Sequence, residues 1–105
     1  MIRYLGLLML AGGLLMAPGP ALSADAEAGR ALARIWCAFC HIAEEGQEQA
    51  SDIAPPLAQI ANDPSKSALG LAAWLADPHP PMPNLSLSQR EIDDLVAYIE
   101  TLKTD

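Results

Sequence analysis

Two thiols three positions apart, with an imidazole directly after the second, form the part of this 105-residue chain best equipped for chemistry: Cys37-Ala38-Phe39-Cys40-His41. On one helical turn both sulfurs point the same way. Both can then add to the two vinyl groups along one edge of a porphyrin, and the adjoining imidazole lies beneath the iron. Cys-x-x-Cys-His is the attachment signature of a c-type haem. Other uses of paired cysteines fit less well. A thioredoxin-like redox pair should follow a strand in an alternating α/β pattern, and no such pattern surrounds Cys37. Zinc needs four ligands, and the cysteines and histidines are limited to Cys37, Cys40, His41 and His79. Adjacent ligands at 40 and 41 suit the usual two-plus-two zinc spacing badly. The pattern predicts one haem c per chain, held covalently by Cys37 and Cys40, with His41 as proximal iron ligand.

A sixth ligand is expected on the other side of the iron. Of the four methionines only Met82 lies beyond the first two dozen residues, inside Pro78-His79-Pro80-Pro81-Met82-Pro83. Four prolines rule out a helix there and preset an extended loop. A thioether is a soft, neutral ligand that raises the reduction potential relative to a second imidazole, and Pro81 and Pro83 lower the entropy cost of holding it. Met82 is the expected ligand. His79 is the competitor, and otherwise a surface histidine. With both axial positions filled, no open site remains for oxygen or peroxide.

The elements that must position these groups read as helices. Residues 1–24 have the form of an export signal: Arg3, an apolar run from Leu5 to Met16, the break Pro18-Gly19-Pro20, and small residues for cleavage after Ser23 or Ala24. The apolar run is shorter than the ~20 residues a spanning helix needs, so a cleaved leader is expected rather than an anchor. Residues 25–105 are then one small domain, short enough to need a staple, which the covalent haem would supply. Asp25 to about Phe39 predicts a helix whose apolar face is Ala28, Leu32, Ile35, Trp36 and Phe39, with Glu27, Arg30 and Arg34 toward water. Glu44 to Asp52 reads as a solvated loop, and Ala54-Pro55-Pro56-Leu57 as a rigid corner before a short helix. Asp63-Pro64 predicts the start of a helix running through Leu69 to about Ala76. Ser88 and Glu91 predict a capping box on a last helix with Ile92, Leu95, Val96, Ile99 and Leu102 on one face. No strand signal appears, and the fold class expected is all-α.

These residues resemble the class I mono-haem cytochrome c family over essentially the whole of residues 25–105. The resemblance implies a cytochrome c-like fold of three to four helices around the haem. It also implies that Gly29 is the small residue where the first helix crosses the last, opposite Leu95 and Tyr98. Ala54-Pro55-Pro56-Leu57 is similar to the family's Gly-Pro-x-Leu segment, which implies that the Pro55 carbonyl accepts a hydrogen bond from His41 and fixes its tautomer. Ala54 departs from the usual glycine. Ala33 stands where an aromatic often supports the crossing, and Trp36 is expected to supply that bulk. Trp74 is read either as a donor to a haem propionate or as core.

The function this implies is electron transfer in the bacterial periplasm, with no catalytic residues and the iron cycling between ferric and ferrous. Two alternatives stand beside it: a haem-bearing electron-exit subunit of a periplasmic dehydrogenase or sulfur-oxidising complex, and a haem enzyme or gas sensor with an open sixth site. Without Arg3 there are five basic residues against thirteen acidic ones, a net charge of about −8. Such a charge repels nucleic acid and anionic lipid and favours redox partners with basic docking surfaces. No stable membrane insertion is expected after leader removal. Glu44, Glu45 and Glu48 follow the haem motif most closely and read as a solvated run.

Overall fold

A computed structural model describes residues 6, 12, 13, 23–51 and 53–104. The export signal expected over residues 1–24 therefore falls almost wholly outside the described residues. Four helices and no strand occur among them: α1 (Ala26–Trp36), α2 (Leu57–Ala61), α3 (Ala68–Ala76) and α4 (Gln89–Glu100). The all-α expectation holds.

Helix α4 is the spine. Its start is fixed by the expected capping box: Glu91 N donates to Ser88 Oγ, and Ser88 N donates to the Glu91 carboxylate. Its buried face carries Ile92, Leu95, Tyr98 and Ile99, and it packs on α1, α2 and α3. Ala33, Leu57, Ala61, Leu71 and Leu75 complete the core from the other helices. The α1–α4 crossing is close enough to demand glycine at position 29. A Cβ there would lie 1.9 Å from the Asp94 carbonyl oxygen and 2.9 Å from Tyr98 Cβ, so any side chain would push the helices apart.

Three expectations need correction. Helix α1 begins behind Asp25, whose carboxylate accepts from Glu27 N and Ala28 N, but it stops at Trp36 rather than near Phe39. The chain tightens there into a turn in which Cys40 N and His41 N both donate to Cys37 O, at 3.1 and 2.8 Å. Phe39 consequently falls outside the helix and is 85% exposed, and Ile35 and Trp36, still within α1, lie on its exposed side. Trp36 does not fill the space beside Ala33, which is itself buried in the crossing.

Helix α3 starts at Ala68, with Ser67 as its cap through Gly70 N, rather than at Pro64. Asp63 instead accepts from Ser65 N and Ser65 Oγ and pairs with Lys66, forming a separate turn. Leu69 points outward as a result.

Candidate functional site

The haem motif leaves α1 through its last turn, so Cys37 is buried in the core while Cys40, on the outer side, is half-buried. The two form no disulfide with each other. Burial, with a smaller contribution from Cys40, pushes the Cys37 thiol up to about 11. That is the opposite of a redox-active pair, whose attacking thiol is held as thiolate. Among the described residues no three His, Cys, Asp or Glu side chains gather to hold a metal ion.

His41 is oriented from two directions. Its Nδ1 lies 2.6 Å from the Pro55 carbonyl oxygen. A carbonyl only accepts, so Nδ1 carries the proton and Nε2 keeps a lone pair for a metal. The Pro55-Pro56 corner is held against the motif by Leu57 N donating to Ile42 O at 2.9 Å. Ala54, where glycine is usual, does not prevent this arrangement.

The second direction is the Gln47 carboxamide. Its Nε2 donates to the carbonyls of Ala38 and His41 at 2.9 Å and of Gln49 at 3.0 Å, while its Oε1 accepts from Ala43 N at 2.9 Å. One side chain thus organises the backbone on both sides of His41. Tyr98 Oη reaches the Ala43 carbonyl from α4.

Glu44 leaves the solvated loop to which it was assigned. Its two oxygens accept separately from Arg30 Nε at 3.0 Å and Arg34 Nε at 2.8 Å, one turn apart on α1. The Arg34 and Arg30 hydrogen bonds hold its carboxyl below the usual range. Arg30 and Arg34 are therefore not simply turned to water. Gly46, at φ 87°, makes the tight turn that returns Gln47 to the motif.

On the other side, Met82 packs against the core and its sulfur lies 3.2 Å from Trp74 Nε1. The indole N–H, considered for a propionate, has this sulfur as its partner. A thioether sulfur has two lone pairs, so one remains for a metal. The Trp74 ring also stacks on His79, with centroids 6.2 Å apart and planes at 21°. His79 Nδ1 lies 2.7 Å from the Pro80 carbonyl, and Met82 N donates to His79 O. This set of donors suits a c-type haem: two thiols on one turn, an imidazole with Nε2 available, and a soft sulfur in a constrained loop.

Gln47 gave no sequence signal, since a carboxamide in a polar loop has no periodicity. Arg30 and Arg34 did carry one: two cations four residues apart on a helix, with an acid just past the motif.

Residues 24–99 match the family model described as cytochrome c oxidase, cbb3-type, subunit III. The chain is 47% identical over 83 residues to cytochrome c-552 of Bradyrhizobium diazoefficiens, covering 79% of this chain and 80% of that protein. It is 33% identical over 82 residues to a cytochrome c-553-like protein of Synechocystis sp., covering 78% and 73%. No solved structure matches.

Proposed function

This chain belongs to the cytochrome c family as a small mono-haem class I electron carrier with haem c as cofactor, and from that premise we propose that His41 and Met82 are its two axial ligands. We further propose that Cys37 and Cys40 form the thioethers and that the protein works in the periplasm after cleavage behind Ser23 or Ala24. Bound haem c supplies a one-electron couple between ferric and ferrous iron.

The observation that carries the ligand reading is the 2.6 Å contact between His41 Nδ1 and the Pro55 carbonyl. It leaves Nε2 as the donor and holds the imidazole plane. Met82 supplies a neutral sulfur, and the Trp74 N–H draws electron density from it. That weakens its donation to ferric iron more than to ferrous and raises the potential. No helix among the described residues is long and apolar enough to cross a membrane.

The partner is a redox protein, and we assign it a basic docking surface because the chain carries a formal charge of −7. A free shuttle gives an electron-transfer rate that falls as salt shortens the Debye length toward about 8 Å. The family description names an oxidase subunit, which favours the permanent-subunit reading as the rival. Stopped-flow electron transfer across an ionic-strength series separates them. A falling second-order rate supports the shuttle, and a salt-independent rate with co-purification of one enzyme supports the subunit.

A further inference from the structure

Asp94 is an acid the electron-transfer reading does not use. It is 5% exposed, the one buried charged residue among the described residues, and it sits on α4 where its own backbone carbonyl meets Gly29. Its Oδ1 accepts from the backbone nitrogen of Asp25 at 2.8 Å, across 69 residues of sequence. Beside that contact lies an open cleft of about 260 Å³ lined by Ser23, Ala24, Gln89, Arg90, Asp93 and Asp94. The nitrogen held by Asp94 is therefore the one at the Ala24–Asp25 bond, one of the two bonds at which the leader is expected to be cut.

We propose that Asp94 is the docking site for the amino terminus of the processed protein, created by cleavage after Ala24. The inference rests on leader removal and narrows it to one bond. Hydrolysis by a signal peptidase consumes one water. The Ala24 carbonyl carbon takes the hydroxyl, the C–N bond breaks, and the Asp25 nitrogen leaves as an amine that is protonated near neutral pH. A single amide donor becomes an ammonium with three donors, at a nitrogen already within hydrogen-bonding distance of a buried carboxylate. A hydrogen bond from a neutral amide to a carboxylate becomes an ammonium–carboxylate ion pair.

Charge placement explains why a carboxylate is needed. The ammonium forms at the N-terminus of α1, where the helix dipole disfavours a cation. On α1 it meets the Asp25 carboxylate, already engaged with Glu27 N and Ala28 N, and Glu27 in the first turn. On α4 it meets Asp94, with Asp93 and Arg90 on the same wall. Acids outnumber the one cation. The pair ties the residue that caps α1 to α4 at the crossing that holds the fold together, so leader removal tightens that crossing. A carboxylate partner raises the folded-state pKa of the amine above its ordinary ~7.7–8.0. Its stabilising contribution is thus fully present below about pH 8 and is lost as pH rises through the raised value.

The test uses the haem-loaded protein. Mass analysis of the exported chain should find Asp25 at its terminus. Thermal midpoints are then compared for D94N and Asp94 in two backgrounds, one beginning at Asp25 and one carrying a neutral Gly-Ser extension before it. D94N should lower the midpoint further in the free-amine background, and the wild-type α-amine should acylate severalfold more slowly at neutral pH than a free peptide amine. The acylation measurement stands even if D94N does not fold. Equal losses in both backgrounds, or an α-amine of ordinary reactivity, overturn the proposal. A terminus at Ala24 overturns it while leaving export intact, and an uncut leader overturns both.

Discussion

Between Ala38 and Leu57 the chain is tied down by Gln47, Tyr98, Arg30, Arg34 and the Pro55 corner, whereas between Pro78 and Pro83 it is held by Trp74 and its own prolines. The two loops present the two proposed iron ligands, and they are built in opposite ways. His41 is fixed by a network whose members come from α1, α4 and the loop itself. Met82 has one side-chain hydrogen bond and a turn, with stiffness supplied mainly by fixed proline φ angles. The lesson concerns where ligand loss should begin. A proline-stiffened loop costs little entropy to order but has few contacts to resist a pull, so the methionine bond is the one expected to open first.

Removing both thiols should abolish the comparison altogether. With Cys37 and Cys40 changed to alanine, covalent haem is lost from a domain too small to be comfortably stable alone. Far-ultraviolet circular dichroism should then show a largely unfolded chain. A folded, helical double mutant would contradict the account.

Gln47→Leu strikes the histidine side only. It strips donors from the Ala38, His41 and Gln49 carbonyls and the acceptor from Ala43 N. Unsatisfied polar groups cost about 1–3 kcal/mol each when buried, and this site is half-open. A loss of about 2 kcal/mol in denaturant unfolding is expected, with methionine ligation retained. A neutral effect would mean that the Pro55 carbonyl alone suffices.

Trp74→Phe probes the methionine side. Ring stacking against His79 survives while the N–H to the sulfur is lost. The potential should fall by less than about 59 mV, the one-electron equivalent of a tenfold change, and protein-film voltammetry reads it. A rise would reverse the sign of the proposed tuning.

The smallest effect belongs to Glu44→Gln. The folded-state carboxyl of Glu44 sits below its reference of 4.5 because Arg34 and Arg30 donate to it. Its stabilising contribution is present above that reference and fades as pH falls through the depressed folded value. The variant should show a flatter acid limb in stability against pH, with little change at neutral pH because the cations are largely exposed.

What the sequence disclosed follows the same division. The haem motif, the Ser88 capping box and the all-α class were readable because each rests on local spacing. Gly29 was readable through the family pattern. The end of α1 was misjudged because the apolar spacing carries on to Phe39, past the point where Cys37 O captures two amides. The start of α3 was misjudged because Asp63 closes a turn as readily as it caps a helix. Gln47 and Asp94 act across loops and helix crossings, and such pairings leave no periodic trace.

The central claim is that Met82 holds the iron opposite His41 and that its loop is the weaker of the two. The ferric optical spectrum of the haem-loaded protein tests this most directly, because the weak long-wavelength band arises only from methionine–iron ligation. The band should be present in the wild type and absent in Met82→Ala, which keeps its thioether-bound haem, has a lower potential and binds carbon monoxide or cyanide faster. An unchanged band and potential in Met82→Ala would contradict the account and make His79 the leading sixth ligand.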